Sequence, residues 1–268
     1  MSSPQFPIAP GPWHLEGEVY WMLLKPMKTL PAGAYAPLEQ PKDDDPHEKT
    51  NRYLGGQGIV WIVRYASSPV GPYDELMYQP GDFPTPSGGK STRITRLYVS
   101  SHDTTFNGRR NWNVAKHLAK FSFTPQGSNR TLVEVFDYTE DPKVDAPFFA
   151  AIATAQRFLP ALPFSTRWLG LEPMVHPPIP AGPKDKPEEV GTTEWAGVDF
   201  ELHGRIKLAW FEPAPLRAGG KIPPGAYSDG VGFPQIEIRS FGVWFTPGVC
   251  LEFGAPLPVE GASPVNDN

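Results

Sequence analysis

Lys116 is the residue of this sequence best suited to chemistry, because its near neighbours in the chain are apolar. They are Trp112, Val114, Ala115 and Leu118. Burial in such surroundings disfavours the ammonium and lowers the pKa of a lysine. A neutral amine near pH 7 is a nucleophile toward carbonyl carbons. The alternative is an ordinary surface lysine whose stem lies along apolar neighbours. Local composition alone favours that alternative, because lysine is rarely buried unless it is paired.

Two segments carry a more specific signal. Asn107–Phe121 reads NGRRNWNVAKHLAKF, and Ser67–Leu76 upstream reads SSPVGPYDEL. Both resemble the active-site segments of the acetoacetate decarboxylase-like superfamily, whose decarboxylase is a known example of a lysine activated by its surroundings. The resemblance implies that Lys116 forms a Schiff base with a keto substrate and that Glu75 lines the same site. We also expect Tyr73, Trp112 and His117 to contact the substrate.

The chain departs from that family's pattern at three places. Family decarboxylases carry an arginine in the N-terminal strand, after a Gly-Pro-aromatic opening. Here the opening is Gly11-Pro12-Trp13 and the matching place holds Glu18. A second active-site glutamate is replaced by the apolar stretch Gly58–Trp61, and a second lysine by His117. The groups that handle a substrate carboxylate are therefore missing, which argues against acetoacetate itself and suggests a larger or more apolar substrate.

Arg109 and Arg110 form another candidate pair. Guanidinium groups bind carboxylates through two parallel hydrogen bonds. One of these arginines could therefore replace the missing strand arginine. The alternative is a pair of loop arginines that stay in water, and the sequence does not decide between the two.

Other motifs are incomplete. Pro86–Ser91 ends like a phosphate-binding loop, but a strand pattern follows it where a helix is required. His102 and Asp103 are adjacent, and adjacent residues on a strand point to opposite faces, so they are not expected to pair. Asp43–Asp45 lacks the spacing of a calcium loop. The histidines show no zinc spacing, so we expect no metal and no cofactor.

Composition excludes several classes of protein. The net charge is −5 with a pI near 5.7, and no basic stripe is visible, so a nucleic-acid partner is not expected. The single cysteine, Cys250, fits a reducing compartment. The N-terminus has no apolar signal region, and no apolar run is long enough to span a membrane. We therefore expect a cytoplasmic protein.

The pattern of elements is mainly β. The 34 prolines in 268 residues are spread along the chain and few fall within apolar runs, which favours strands joined by fixed turns. One helix is predicted over Asp145–Leu159, from apolar residues near helical spacing. Leu118–Phe123 and Thr131–Asp137 predict a hairpin. The other predicted strands are Val19–Leu24, Ile59–Tyr65, Ile94–Val99, Phe164–Leu171, Thr193–Leu202, Arg205–Phe211, Gln235–Arg239 and Phe241–Thr246.

These elements predict a mainly β fold with minor helices, as a closed or sandwiched antiparallel structure. This agrees with the curved antiparallel β-barrel that the resemblance implies, which can enclose a cavity. We expect one domain over residues 1–268. Residues 1–12 are predicted to be an extended arm, 41–50 and 176–189 surface loops, and 254–268 a loose tail.

The leading functional hypothesis is a Schiff-base lyase acting on a small or hydrophobic keto compound, by decarboxylation or by aldol or dehydration chemistry. Lys116 would be the nucleophile and Glu75 the proton carrier. A hypothesis from another class is a barrel that binds a hydrophobic metabolite without covalent chemistry, or a cyclase that does not use the lysine. The resemblance also makes a homo-oligomer plausible.

Overall fold

The computed structural model describes residues 6–42, 48–139, 146–215 and 220–262, and these are mostly strands. The one α-helix in this part of the chain, α1, spans His102–Trp112. Short 3-10 turns lie at Pro37–Glu39, Glu48–Thr50 and Thr166–Leu169. The strands, in chain order, are β1 Trp13–Leu23, β2 Ile59–Ser67, β3 Tyr73–Gln79, β4 Gly81–Pro84, β5 Lys90–Arg93, β6 Arg96–Val99, β7 Lys116–Pro125, β8 Arg130–Asp137, β9 Phe149–Ala155, β10 Leu162–Ser165, β11 Met174–His176, β12 Ala196–Val198, β13 Phe200–Pro213 and β14 Phe241–Phe253.

One large sheet contains ten of these strands, in the order β10-β13-β14-β1-β2-β3-β6-β7-β8-β9. Strand β9 also pairs with β13, so the sheet curves round and closes on itself. The neighbouring strands are antiparallel except for β6 and β7, which are parallel. A parallel pair needs a crossover connection, and α1 supplies it. The prediction of a mainly β fold is confirmed.

The sheet separates two apolar cores. Strand β3 shows the division, since Leu76 and Tyr78 belong to one core while Tyr73 and Met77 belong to the other. This is the two-residue alternation expected of a strand. The face that carries Tyr73 and Met77 also carries Lys116, through direct pairing of Met77 with Leu97 and of Leu97 with Lys116. We call it the Lys116 face.

The helix predicted over Asp145–Leu159 is wrong. Residues Phe149–Ala155 form β9, which pairs with β8 on one side and β13 on the other. Six of its seven residues are buried, so both faces are apolar and the alternation that marks a half-exposed strand is absent. A short apolar run of this kind cannot be distinguished from a buried helix by periodicity. Phe158, which helped to suggest a helical face, is 93% exposed.

The sequence pattern does not predict α1. The strand expected at His102 and Asp103 is wrong, since both residues lie in this helix. Threonine, asparagine and glycine are poor helix formers, so intrinsic propensity gives little signal here. Seven residues of the helix are buried, and Asn113 ends it in the left-handed conformation with φ 55°. Tertiary packing therefore determines this helix.

Smaller predictions have mixed outcomes. The hairpin is confirmed as β7–β8. The strand predicted at Phe164–Leu171 is instead the end of β10 followed by a 3-10 turn, and Gln235–Arg239 makes only an isolated bridge at Ile238. The tail predicted to be loose over 254–268 is anchored at Leu257, which exchanges backbone hydrogen bonds with Gly197, whereas 263–268 lie outside the described residues.

The predicted loops and arm lie partly outside the described residues. Within the loop predicted at 176–189, Ile179, Glu188 and Glu189 are buried, so this segment is packed against the molecule rather than lying freely on its surface. The Asp43–Asp45 run and the first residues of the arm lie outside the described residues. Among the residues that are described, no helix is long and apolar enough to cross a lipid bilayer.

Candidate active site

Lys116 begins β7, immediately after the crossover from α1, and its side chain lies between the helix and the sheet. The residue is 6% exposed. Gly108 faces it from the helix: a Cβ at that position would lie 2.6 Å from both Cδ and Cε of Lys116. The absence of a side chain at Gly108 therefore leaves the space that the lysine stem occupies. The lysine is buried rather than on the surface.

The ammonium group of Lys116 is held by two oxygen atoms. Nζ donates to Oε2 of Glu75 at 3.0 Å and to the hydroxyl of Thr104 at 3.0 Å. It also lies 5.2 Å from the ring centroid of Tyr73, within the range of a cation–π contact. The structure thus brings together Lys116, Glu75 and Tyr73, three residues named from the sequence. Thr104 is an addition.

Glu75 lies in the middle of β3, paired with Val63 on one side and Val99 on the other. It is 1% exposed. The turn before the strand is closed by a hydrogen bond from the amide of Gly71 to the carbonyl of Ser68, and Gly71 has φ 84°, which glycine adopts easily. This turn fixes where β3 begins and so which side chains point to the Lys116 face.

Two tyrosines complete the polar cluster around the carboxylate. The hydroxyl of Tyr65 donates to Oε1 of Glu75 at 3.4 Å, and the rings of Tyr65 and Tyr73 are 4.4 Å apart. Burial, followed by the negative charge of Glu75, raises the pKa of both phenols well above the ordinary value. Both phenols therefore stay protonated near neutral pH, and the Tyr65 hydroxyl can donate to Glu75.

Sequence reasoning missed Thr104 and Tyr65. Thr104 lies four residues before Gly108, so the two share one face of α1, and recognising the helix would have suggested it. Tyr65 is the cross-strand partner of Tyr73. The strand predicted over Ile59–Tyr65 includes this residue but gives no signal for its contact with Glu75.

The stretch where the family has a second glutamate is apolar on the Lys116 face. There Trp61 pairs directly with Met77, the residue two positions after Glu75. Trp21 is the next residue in the same cross-strand row, paired with Trp61. Lys116 therefore has aromatic rather than acidic neighbours in this direction.

Glu18 does not reach Lys116. It pairs with Arg64 across β1 and β2. The next pair along these strands, Val19 and Val63, lies on the Lys116 face, so Glu18 points to the opposite face. Its carboxylate lies 3.5 Å from the guanidinium of Arg64 and accepts a hydrogen bond from the indole of Trp244. The departure at Glu18 therefore places no charge beside the lysine.

The two candidate arginines have different environments, and only Arg110 lies in solvent as the second alternative proposed. Arg109 is fully buried: it donates to Glu39 at 2.8 Å and to the backbone carbonyls of Val190, Pro180 and Lys116. These bonds commit its guanidinium to the protein. Arg110 is exposed and donates to Asn111. In this structure neither is placed to hold a substrate beside Lys116.

His117 lies between two carboxylates. Nδ1 is 2.8 Å from Glu189 and Nε2 is 2.8 Å from Glu39, which also binds Arg109. Burial alone would lower the pKa of His117, but the hydrogen bonds and charges of the two glutamates outweigh it and raise the pKa. The same contacts overcome burial to lower the pKa values of Glu39 and Glu189. We call these four residues the His117 clamp. It points away from the Lys116 face.

Trp112 has a packing role in the structure. Its indole N–H donates to the carbonyl of Gly254 at 3.0 Å, and its ring meets Trp13 edge-on at 5.1 Å. It anchors the end of α1 to the segment after β14. Its indole hydrogen bond and its ring contacts are with residues other than Lys116 and Glu75.

Two large cavities lie near the cluster. One, of about 680 Å³, is lined by Ala115, Asn113 and His176, among others. The other, of about 1030 Å³, is lined by His117 and His102. Lys116 lines neither. Burial and the nearby Arg93 lower the pKa of His176 to about 3, so this wall residue is neutral at pH 7. In the described part of the chain, no cluster of histidine, cysteine and acidic residues could hold a metal ion.

Comparisons with known proteins bear on the fold. No protein-family model and no curated protein sequence matches the chain. Acetoacetate decarboxylase from Legionella pneumophila has a similar structure, with a TM-score of 0.54 and 14% identity over 97% of this chain and 93% of that one. A second acetoacetate decarboxylase structure gives 0.53 and 15%, over 98% and 92%.

A third similar structure is MppR, an enduracididine biosynthesis enzyme, complexed with the condensation product of pyruvate and imidazole 4-carboxaldehyde. Its TM-score is 0.51, with 13% identity over 98% of each chain. At these identities the similarity concerns the fold. The chain has the acetoacetate decarboxylase-like fold, as the sequence resemblance implied.

Proposed function

We propose that this protein is a Schiff-base enzyme in which Lys116 attacks the carbonyl of a small or hydrophobic keto compound. The observation that carries the proposal is the contact of the buried Lys116 amine with the Glu75 carboxylate and the Thr104 hydroxyl, each at 3.0 Å. The named relatives in fold support it, because two are acetoacetate decarboxylases and the third holds a condensation product of pyruvate.

The chemistry begins with a proton transfer. Glu75 accepts a proton from the Lys116 ammonium, which frees the amine lone pair for attack on the carbonyl carbon. The resulting carbinolamine loses water, with its hydroxyl protonated by Glu75, and becomes an iminium. Contact within 3.0 Å permits this exchange without an intervening water. Tyr65 donates to the same carboxylate and so holds its orientation.

The iminium then acts as an electron sink. Breaking an adjacent C–C or C–H bond sends its electron pair into the C=N⁺ unit and gives a neutral enamine, which is protonated at carbon before water releases the product. Loss of CO2 and retro-aldol cleavage break a C–C bond, whereas dehydration and isomerisation begin at a C–H bond. Glu18 stands where the family has its strand arginine. The guanidinium of Arg109 is bound to Glu39 and backbone carbonyls, and Arg110 is exposed. This favours substrates that need no guanidinium for a carboxylate.

A second candidate is a protein that binds a hydrophobic metabolite without covalent chemistry, or a cyclase that does not use the lysine. One observation favours it: Lys116 lines neither of the two large cavities. A ligand held in the cavity beside Ala115 would meet a neutral His176 and the backbone preceding the lysine.

The two candidates differ in whether the protein exchanges the α-protons of ketones with solvent. An iminium acidifies these protons, so a ketone incubated in D2O with wild-type protein should gain deuterium, measured by NMR. Lys116→Arg keeps a cation beside Glu75 but forms no Schiff base, and it should abolish exchange. Lys120→Arg, also on β7, is the matched control and should leave exchange unchanged. Exchange that persists in Lys116→Arg would contradict the proposal.

A further inference from the structure

Two indole N–H groups on the Lys116 face have no hydrogen-bond partner. They belong to Trp21 and Trp61, which pair across β1 and β2 with ring centroids 4.6 Å apart. Both residues are 6% exposed. A buried donor left without an acceptor costs free energy, and native structures contain few of them, so each such donor calls for an explanation.

The other indoles that contact the same core show the usual arrangement. Trp13 donates to the carbonyl of Ala9 and Trp112 to that of Gly254, each at 3.0 Å. The same core thus satisfies two indoles and leaves two adjacent ones unsatisfied. The two unsatisfied donors lie in the cross-strand row that runs from Trp21 through Trp61, Met77 and Leu97 to Lys116.

This row relates the indoles to the proposed nucleophile. The lysine side chain extends back over β6 to Glu75 on β3. Trp61 lies on the adjacent strand, diagonal to Glu75 on the same face, and diagonal neighbours of an antiparallel pair have Cα atoms about 7–8 Å apart. In the row, Met77 is the first residue between Trp61 and Lys116. A methionine side chain is flexible and adapts easily to a new neighbour.

The surroundings of the indoles specify the acceptor. Ring contacts of Trp21 are with Trp61, Phe164 and Phe245, and Trp61 also meets Phe200. A carboxylate buried among these rings would lose its hydration without gaining a cation. An uncharged oxygen, as in a ketone, ester or amide, accepts N–H bonds without that cost.

We infer that Trp21 and Trp61 form the specificity site for a second, uncharged oxygen of the substrate, separated by an apolar segment from the carbonyl that Lys116 attacks. The inference rests on the proposed function and narrows it to keto compounds with a distant neutral acceptor. Trp61 lies within the stretch Gly58–Trp61, where the family resemblance predicts a glutamate, and it offers a hydrogen-bond donor in place of an acceptor.

Three probes of similar chain length separate the possibilities: methyl 5-oxohexanoate carries a neutral distal oxygen, 5-oxohexanoate a charged one, and 2-octanone none. The chain has eight tryptophans, whose side-chain N–H signals can be resolved by ¹⁵N-indole NMR. Trp21→Phe and Trp61→Phe assign the two signals while keeping an aromatic ring. The measurements use the full chain, as wild type and as Lys116→Met, so that binding is observed independently of Schiff-base chemistry.

The inference predicts that the methyl ester moves the Trp21 and Trp61 signals downfield in both proteins, while the signals of Trp13 and Trp112 stay in place. Trp61→Phe should weaken ester binding about five- to tenfold, the effect of one net hydrogen bond, and leave 2-octanone binding unchanged. Equal shifts with 2-octanone would overturn the inference, because they would report ring contact alone. Indoles that are already bonded to a trapped water and unmoved by the ester would also overturn it.

The outcome is separable from that of the proposed function. Shifts in Lys116→Met, together with absence of α-proton exchange in the wild type, would support the indole site and contradict the Schiff base. Exchange of α-protons in the wild type, with no shift of the Trp21 and Trp61 indole signals, would support the Schiff base and contradict the indole site.

Discussion

The buried ion pair of Lys116 and Glu75 is not expected to stabilise the fold. A buried ion pair loses the hydration of both charges, and replacing such a pair by apolar residues of similar size is often neutral or stabilising. Here both members are almost fully buried, and the lysine ammonium has the Thr104 hydroxyl and the ring of Tyr73 as further contacts. Because the buried pair costs hydration free energy, its presence is consistent with a chemical role for the Lys116 amine.

The cost of breaking the pair gives the first prediction. Glu75→Gln leaves the buried Lys116 cation without its counter-ion and should lower the free energy of unfolding by about 3–5 kcal/mol, measured by urea denaturation. Lys25→Gln is the control, because its pair with Glu237 is exposed at 58% and 79% of the two side chains and should contribute less than about 1 kcal/mol.

The double variant Lys116→Met, Glu75→Leu separates stability from function. It removes both charges and should recover most of the lost stability while abolishing α-proton exchange. A double variant no more stable than Glu75→Gln would contradict the view that the pair is kept for its chemistry.

At the scale of elements, the crossover β6–α1–β7 positions the lysine. The helix covers the Lys116 face where β7 begins, and its contact with the lysine stem depends on Gly108. On the other side of β7, the His117 clamp binds the strand to the 3-10 turn at Pro37–Glu39 through Glu39. It also binds the strand through Glu189 to the loop predicted at 176–189. One residue of β7 thus carries the amine, and the next anchors the strand.

Gly108→Ala tests the packing of helix against lysine. Alanine is the better helix former by about 1 kcal/mol, so the helix itself should tolerate it. Its Cβ would nevertheless overlap the Lys116 stem at 2.6 Å, and overpacking typically costs about 1–3 kcal/mol. We expect at least a tenfold loss of exchange activity with the fold retained by circular dichroism. Gly254→Ala meets only ordinary contacts at 3.4 Å or more and should remain fully active. A fully active Gly108→Ala protein would show that the helix does not confine the lysine.

The His117 clamp gives stability a specific dependence on pH. The raised pKa of His117 means that its contribution is complete below the ordinary value of 6.5 and is lost as pH rises through the folded-state pKa. The pKa values of Glu39 and Glu189 are lowered, so the stability that these carboxylates contribute is complete above pH 4.5, their ordinary pKa. It is lost as the pH falls through their folded-state pKa values. The clamp is therefore fully charged between pH 4.5 and 6.5.

His117→Gln should accordingly destabilise the protein most within that window, by about 1–3 kcal/mol, the cost of leaving buried groups without their partner. The difference from wild type, followed by urea denaturation at several pH values, should shrink above pH 7. His14→Gln is the control, since His14 and its partner Glu252 are exposed. A His117→Gln difference that does not change with pH would mean that the imidazole is neutral in the clamp.

At the scale of the whole molecule, strand patterns and the two resemblance segments predicted the closed sheet and brought Lys116 and Glu75 into one site. The prediction failed where the local signal and the tertiary context disagree. α1 is rich in threonine, asparagine and glycine, which are poor helix formers, and is held by packing. β9 is buried on both faces and so lacks alternation. Arg109 donates hydrogen bonds to Glu39 and to three backbone carbonyls, most of them distant in sequence. No local sequence pattern encodes such contacts.

The surface around β10 bears on the predicted homo-oligomer. Phe158, Leu162 and Trp168 are 93%, 56% and 68% exposed, next to the end strand of the sheet order. An unpaired strand edge beside exposed apolar side chains favours association, here with a second copy of the chain. We expect light scattering to give an oligomer for the wild type and a smaller species for Trp168→Glu. Val231→Glu, at an exposed position remote in sequence, should not change the mass. A monomeric wild type at micromolar concentration would contradict this prediction.

The central claim, that Lys116 forms an iminium with a keto compound, is tested most directly by borohydride trapping. Wild type, Lys116→Ala and the control Lys120→Ala are incubated with β-keto acids, α-keto acids, aldehydes and neutral ketones, reduced, and measured by intact mass. We predict one ligand-sized mass gain in the wild type and in Lys120→Ala, located on the Lys116 peptide and absent from Lys116→Ala. The size of the adduct shows whether CO2 left before reduction. An equal gain in Lys116→Ala, or no gain with any ligand that binds, would contradict the claim and favour a non-covalent site.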